Sequence, residues 1–162
     1  MRVTAPALTL AMPLLLLASA AQAIEVQQTI EVAAPPQAVW EEVGGFCSIA
    51  DWHPDIASCT LEADDFTTYR TVETTAGEVF REQLMAEDGA SQFYSYSLVE
   101  SPWPVTGLVS EFEVAPGPDE TSVIVWQAQF STLAVDEDEA ADDLAQLYEN
   151  GLEGIRAMFE EA

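Results

Sequence analysis

The sequence predicts an α+β fold in which a curved, seven-stranded antiparallel sheet grips one long C-terminal helix, with two short helices after the first strand. Three observations lead to this prediction. Seven segments alternate as β-strands do, short turn signals separate most of them, and the last segment carries an apolar stripe at helical spacing. The helix is the natural cover for the apolar face of such a sheet. We expect an internal cavity wherever facing side chains leave the space between sheet and helix unfilled.

The first part of the fold combines one strand with two short helices. Apolar residues alternate through the strand, and the Pro35-Pro36 pair ends it and can open a helix. Gly44-Gly45 ends that helix, and the turn Trp52-His53-Pro54 closes the next one. The predicted segments are Ile24–Val32 for the strand and Gln37–Val43 and Phe46–Asp51 for the helices.

Six further segments are rich in β-branched and aromatic residues, which favour strands. They are Ile56–Glu62, Thr67–Thr75, Glu78–Ala86, Gln92–Val99, Leu108–Val114 and Ser122–Leu133. Pairs of aspartate, glycine or proline residues mark the turns between them. The short spacing predicts an antiparallel meander.

The last segment is predicted to be the long helix. Leu144, Tyr148, Gly151 and Ile155 follow the spacing of one helical face. Six carboxylates in residues 136–143 suit the positive end of the helix dipole. The alternative, a calcium loop, lacks the central glycine and the closing glutamate of an EF-hand.

Residues 1–23 are predicted to be a cleaved signal peptide, which leaves residues 24–162 as one domain. Arg2 supplies the positive start, Leu8–Ala18 the short apolar core, and Ala21-Gln22-Ala23 a small-residue cleavage site. We therefore expect a periplasmic or secreted protein without membrane insertion after signal cleavage.

The charge is strongly negative, with 29 acidic against 4 basic residues and a net charge of −25. Nucleic acid and anionic membranes repel such a surface, so neither is an expected partner. Two interpretations stay open: a basic protein partner, or an acidic surface that keeps the protein soluble in a salty medium.

Cys47 and Cys59 are the only cysteines, and His53 is the only histidine. An oxidising compartment favours a disulfide between the cysteines, and two buried free thiols are the alternative. Two cysteines and one histidine are too few for a closed zinc site without a carboxylate, so no metal is expected. Neither a phosphate-binding nor a dinucleotide fingerprint occurs, and no cofactor is predicted.

Several short motifs in a fixed order resemble the START-like or SRPBCC superfamily over nearly the whole of residues 24–162. They are VWEEV (Val39–Val43), FCSIADWHP (Phe46–Pro54), IASC (Ile56–Cys59), Arg70, VFREQL (Val79–Leu84), YSY (Tyr94–Tyr96), PWPV (Pro102–Val105), Trp126 and YENGL (Tyr148–Leu152). The chain looks most like secreted bacterial members related to polyketide cyclase/dehydrase proteins. The resemblance implies a helix-grip fold, shared with plant pollen allergens, whose cavity holds hydrophobic small molecules. Gly107-Leu108 replaces an Asn-Tyr pair of many relatives.

The candidate catalytic residues are Glu82 and His53. Glu82 alternates with Phe80 and Leu84 and shares their face of the strand, where Arg70 on the preceding strand is the available cation. Arg81 has the opposite parity and is expected to face solvent. His53 either bonds nearby backbone and shapes its turn or acts as an acid–base group.

Aromatic side chains complete the predicted ligand site, because they either fill the core or line a cavity. The predicted ligand-binding residues are Trp52, His53, Arg70, Glu82, Tyr94, Tyr96, Trp103, Trp126 and Tyr148. Trp103 lies between two prolines, either as a lid or as a packed turn.

The expected function is periplasmic binding of a small hydrophobic or aromatic molecule. One alternative is a cyclase or dehydratase in which Glu82 or His53 moves a proton. Another is an accessory protein of a periplasmic oxidation system, since one branch of the resembled family includes a protein associated with periplasmic methanol oxidation.

Overall fold

The computed structural model describes residues 23–64, 66–133 and 135–160, so nearly all of the predicted signal peptide lies outside the described residues. The strands are β1 (Ile24–Val32), β2 (Ile56–Ala63), β3 (Thr68–Thr74), β4 (Val79–Asp88), β5 (Phe93–Glu100), β6 (Val105–Pro116) and β7 (Ser122–Thr132). The helices are α1 (Pro36–Val43), α2 (Ile49–Trp52) and α3 (Glu137–Glu160), and one 3₁₀ turn covers Pro118–Glu120.

All seven strands form one antiparallel sheet in the order β1-β7-β6-β5-β4-β3-β2. Strands β2 to β7 are a meander, and β1 joins its far end by pairing with β7. Consecutive strands β1 and β2 therefore lie at opposite edges, and α1 and α2 connect them. The predicted helix-grip fold class is confirmed.

Most element boundaries lie within two residues of the sequence prediction, and two starts, those of α2 and β6, differ by three residues. Residues Phe46–Ser48 form a turn, and α2 begins only at Ile49. The backbone oxygens of Val43 and Gly45 share the single proton of the Ser48 hydroxyl, which stabilises this turn. Strand β6 begins before Gly107 rather than after it. Gly107 has a φ of +63° and lies at a shift in the β6–β7 register, so the strand continues through a local irregularity that glycine tolerates.

The acidic segment before α3 caps that helix. The Asp136 carboxylate accepts hydrogen bonds from the backbone N–H groups of Asp138 and Glu139 at 3.0 and 3.2 Å. These are donors that a helix N-terminus leaves without intrahelical partners. The buried face of α3 carries Leu144, Tyr148, Gly151 and Ile155 of the predicted stripe, and Leu152 is buried beside them.

Aromatic rings fill one half of the space inside the grip. Trp126 stacks on Tyr148 with ring centroids 4.1 Å apart, and its edge meets Trp52 at 5.5 Å. Trp52 stacks on Phe112, which in turn stacks on Tyr94. Helix α3 packs mainly against β1 and β7 on this side of the sheet. The inner face of β3 and β4 lies farther from the helix, and the space there is only partly filled.

Candidate functional site

A cavity of about 270 Å³ lies between α3 and the inner face of β3, β4 and β5. Its lining is mostly aliphatic and aromatic, and exposed Thr75 and Ala76 in the β3–β4 hairpin mark its mouth. The lining residues are Ile49, His53, Asp55, Ile56, Val72, Thr74, Thr75, Ala76, Glu78, Phe80, Glu82, Tyr96, Leu98, Trp103, Leu108, Trp126, Leu144, Leu147 and Tyr148. The cavity can hold the apolar part of a small molecule, and it offers few polar groups to orient that molecule.

Six of the nine predicted ligand-site residues line this cavity, namely His53, Glu82, Tyr96, Trp103, Trp126 and Tyr148. The other three, Trp52, Tyr94 and Arg70, do not line the cavity, and the prediction that they contact a ligand there is corrected. Trp52 and Tyr94 belong to the aromatic half of the core, where each stacks on Phe112. Arg70 is fully buried behind Glu82. Tyr94 shares its face of β5 with Tyr96, as predicted, yet only Tyr96 lines the cavity.

Arg70 and Glu82 form an ion pair across β3 and β4. They are direct partners in the strand register, and Arg70 Nε donates to Glu82 Oε2 at 2.5 Å. Arg70 Nη1 also donates to the Phe46 carbonyl oxygen, and the guanidinium lies over the rings of Phe46 and Tyr96 at 4.4 and 4.5 Å. Burial alone would lower the pKa of Arg70, but the Glu82 carboxylate raises it above its ordinary value. Arg70 therefore stays charged and orients Glu82.

Arg81 has the opposite parity to Glu82 and lies on the outer face of the sheet. Its side chain is 31% exposed, stacks over Tyr69 at 4.2 Å and pairs with Glu62 at 2.9 Å. The expected solvent-facing orientation is thus found, although the side chain is held by neighbours rather than free.

His53 is buried, and both of its ring nitrogens are occupied by backbone groups. Nδ1 accepts from the Asp55 N–H at 3.1 Å, which makes Nε2 the protonated nitrogen that donates to the Leu147 carbonyl oxygen at 3.0 Å. Burial lowers the pKa of His53. The neutral ring therefore holds the turn after α2 against α3, and neither nitrogen is free to take a proton from a ligand.

Two glycines allow α3 to approach this turn closely. A Cβ atom on Gly151 would lie 2.6 Å from His53 Cδ2 and 2.9 Å from Trp126 Cζ3. A Cβ atom on Gly154 would collide with the carbonyl oxygen of Trp52. The Leu147–His53 hydrogen bond thus depends on the absence of side chains at these two positions. Gly154 was not among the predicted site residues.

A group of hydroxyls lies at one wall of the cavity. Tyr148 and Ser110 share a hydrogen bond of 2.5 Å, and the Trp126 indole N–H donates to the Tyr96 hydroxyl at 3.0 Å. Burial raises the pKa of both Tyr96 and Tyr148, so both phenols remain protonated at neutral pH. These groups bond mainly to one another and hold the aromatic wall in place.

Trp103 joins the two hairpin loops at the cavity mouth. Its indole N–H donates to Glu78 Oε1 at 3.3 Å, and its ring meets the Phe80 ring edge-on at 5.2 Å. The side chain is half-buried and lines the cavity. Trp103 therefore packs against Phe80 at the cavity mouth, and a role as a lid stays a prediction.

The sequence analysis missed most of the aliphatic lining. Leu98 and Phe80 were recognised as sharing faces with Tyr96 and Glu82, and that parity was the available signal. Other members carry no chemical signature, since any strand residue facing inwards looks alike in the pattern. This group includes Val72, Thr74 and Leu108 on the strands, and Leu147 on α3 was missed as well.

The structure joins Cys47 to Cys59 in a disulfide that ties the α1–α2 turn to β2, with their Cα atoms 5.6 Å apart. Within the described ranges, no three side chains of histidine, cysteine, aspartate or glutamate form a metal-binding group. In the same part of the chain, no helix has the length and apolar character needed to cross a bilayer.

A family model described as polyketide cyclase/dehydrase and lipid transport matches residues 23–160. The chain belongs to this family. The resemblance to the START-like superfamily is thereby confirmed, and the match covers the sheet, the cavity and all of α3. No curated protein matches the chain.

Solved structures of the same fold come from several bacteria. The protein XoxI from Bacillus cereus is 29% identical, covers 83% of this chain and 94% of its own, and superposes with a TM-score of 0.79. A START superfamily protein from Mycobacterium smegmatis is 17% identical, with coverages of 85% and 97% and a TM-score of 0.70. The Zhui aromatase/cyclase from Streptomyces sp. R1128 is 18% identical, with coverages of 85% and 94% and a TM-score of 0.64. The last two likenesses concern the fold alone.

Proposed function

We propose that this protein binds one small hydrophobic or aromatic molecule in the cavity between α3 and strands β3 to β5. The observation that carries the proposal is the volume of about 270 Å³ enclosed by mainly apolar side chains. An apolar pocket of roughly 150 Å³ holds benzene, and pockets for drug-sized ligands begin near 300 Å³. The cavity therefore suits a molecule of one or two rings, or a short aliphatic chain. The lipid-transport part of the family description is consistent with this role.

We also propose that the protein works in the periplasm or outside the cell. The Cys47–Cys59 disulfide supports this proposal, because such bonds persist in oxidising compartments. The signal-like residues 1–23 support it independently. A fusion of residues 1–23 to a reporter that is active only after export tests the location; a reporter retained in the cytoplasm would contradict it.

The cyclase or dehydratase alternative receives less support from the geometry. His53 has no free nitrogen, so of the two predicted acid–base residues only Glu82 remains, and it lines the cavity. Recovering a bound molecule chemically unchanged after long incubation favours binding. Conversion that stops in Glu82→Gln would favour the enzyme.

A steric pair of variants tests the binding site. Leu98 lines the cavity, whereas its neighbour Val99 is 45% exposed and lies on the other face of β5. Leu98→Trp should fill the cavity, while Val99→Trp adds the same side chain on the outer surface. Saturation-transfer NMR with propylbenzene, naphthalene and indole should detect binding to the unmodified protein and to Val99→Trp, and little or none to Leu98→Trp.

Equal signals from both variants would place the probes on the outer surface and contradict the proposal. A native search complements this test. Protein purified from its own periplasm should release a small apolar molecule that mass spectrometry identifies, and Leu98→Trp should release less of it.

A further inference from the structure

The charged side chains that line the cavity are all acidic. They are Asp55 and Glu78 at the mouth and Glu82 deeper inside. None of the three described arginines lines the cavity: Arg70 lies behind Glu82, Arg81 pairs with Glu62 and Arg156 pairs with Glu153. The sequence contains no lysine. A ligand carboxylate in this cavity would lose its hydration without meeting a cation.

Glu82 has an oxygen left for a ligand. Arg70 occupies Oε2, and no donor within the described residues contacts Oε1. The side chain is 12% exposed, and Glu82 is one of the lining residues. A carboxylate oxygen can accept two hydrogen bonds, so Oε1 retains its full capacity. The His53 nitrogens and the Trp126 indole already have partners.

The walls around Glu82 also suit a positive charge. Phe80, Tyr96, Trp103 and Trp126 line the same cavity. Aromatic faces attract cations, and the attraction grows when the cation is desolvated. Arg70 already shows this arrangement, since its guanidinium lies over the Tyr96 ring at 4.5 Å. The aromatic wall and the Glu82 carboxylate thus both favour a ligand with a positive charge.

We propose that the ligand is an amphipathic amine, with an aromatic or aliphatic body in the cavity and a protonated amino group that donates to Glu82 Oε1. This inference rests on the proposed function and narrows it to one ligand class. Glu82 is the specificity-determining residue, Arg70 is the positioning residue that orients it, and Asp55 and Glu78 attract the cation to the mouth.

A matched ligand series tests the inference on the intact protein. The probes are 3-phenylpropylamine, 3-phenylpropanol and butylbenzene, which share a phenylpropyl body and differ in the end group, and 3-phenylpropanoate, whose carboxylate carbon is the third carbon of the same chain. Titration calorimetry is run at about 0.15 M salt, where general attraction to the acidic surface is screened beyond about 8 Å. The amine should bind at least about tenfold more tightly than butylbenzene and the propanoate, with the alcohol between them.

Two variants locate the preference. Glu82→Gln keeps the shape and removes the charge, so it should reduce amine affinity about tenfold and leave butylbenzene affinity unchanged. Glu87→Gln makes the same change at an exposed position of β4 and should alter neither affinity. Since Glu82→Gln leaves Arg70 buried beside a neutral partner, Arg70→Met/Glu82→Met serves as a second variant, which removes both charges and should also lose the preference.

The possible failures are distinct. If butylbenzene binds in a manner blocked by Leu98→Trp while the propanoate binds as tightly as the amine, the amine inference is wrong and the proposed function stands. The inference is also wrong if the preference survives in both Glu82 variants. If no probe of the series shows binding that Leu98→Trp blocks, the proposed function itself is contradicted.

Discussion

His53 Nε2 donates a hydrogen bond of 3.0 Å to the main-chain carbonyl oxygen of Leu147, and this bond joins the turn after α2 to the middle of α3. The two residues are 94 positions apart in the chain. They also border the cavity, so the contact holds one wall of the proposed binding site at a set distance from the other. This bond requires a proton on Nε2, which the Asp55 N–H enforces by donating to Nδ1 of the neutral ring, and a helix without side chains at Gly151 and Gly154.

The stability of the fold should depend on the protonation of His53. Burial lowers the pKa of His53 in the folded state from its ordinary value of 6.5, so the unfolded chain takes up the proton first as the pH falls. The contribution of His53 to stability is therefore complete above about pH 6.5 and is lost as the pH falls through the lowered folded pKa. Urea unfolding between pH 5.5 and 8 should show this decline.

His53→Gln supplies the control for that experiment. Glutamine does not titrate, so the variant should be less stable at pH 8 yet lose less stability on acidification over the same range. His53 is the sole histidine, and model carboxyl groups titrate mainly below about pH 5. Parallel pH curves for the two proteins would refute the assigned role.

Gly151→Ala should destabilise the protein, although alanine is the better helix former by about 1 kcal/mol. The added methyl group would meet His53 Cδ2 at 2.6 Å and Trp126 Cζ3 at 2.9 Å, and α3 would have to move outwards. We expect a net loss of about 1–3 kcal/mol in the free energy of unfolding, measured by urea denaturation.

Gly89→Ala provides a comparison for this variant, because its Cβ atom would only approach Trp40 Nε1 at 3.9 Å. Its stability should change by less than about 0.5 kcal/mol. A stabilised Gly151→Ala would show that the helix does not need this close approach.

Removing the disulfide should lower stability by about 3 kcal/mol, the value that chain entropy predicts for a loop of this size. Cys47 and Cys59 are 12 residues apart, and their bond ties the α1–α2 turn to the edge strand β2. The measurement is urea unfolding of the double variant Cys47→Ser/Cys59→Ser beside the unmodified protein, each with and without reductant. Reductant should weaken only the unmodified protein; an equal effect on both would contradict the prediction.

Much of the fold could be predicted because the alternation of apolar and polar residues that marks a strand is visible within a few neighbouring residues of the sequence. Ile124, Trp126, Ala128 and Phe130 alternate in the sequence and are all buried in β7. The predicted start of β6 was three residues too late. Gly107 follows a proline-rich turn, so the sequence pattern assigned it to a loop, whereas in the structure it lies at an irregularity within the strand. Local pattern does not distinguish these two cases.

The candidate site was predictable only in part. The alternation of side chains along each strand was enough to place Arg70 and Glu82 on one face of the sheet. The register between β3 and β4 places them directly opposite each other. Parity could not separate Tyr94 from Tyr96, which share a face of β5 but differ in whether they line the cavity. That difference depends on which residues of other elements lie opposite each ring.

The amino-acid sequence by itself determined the order of the elements, the inward face of each strand, the apolar stripe of α3 and the acidity of the surface, because all of these are local periodicities or counts. Only the tertiary structure decided where the hollow lies. Helix α3 packs mainly on β1 and β7, and stacked rings fill that half of the grip, so the space facing β3 and β4 is only partly filled. Which half is filled depends on contacts between residues far apart in the chain, such as His53 with Leu147.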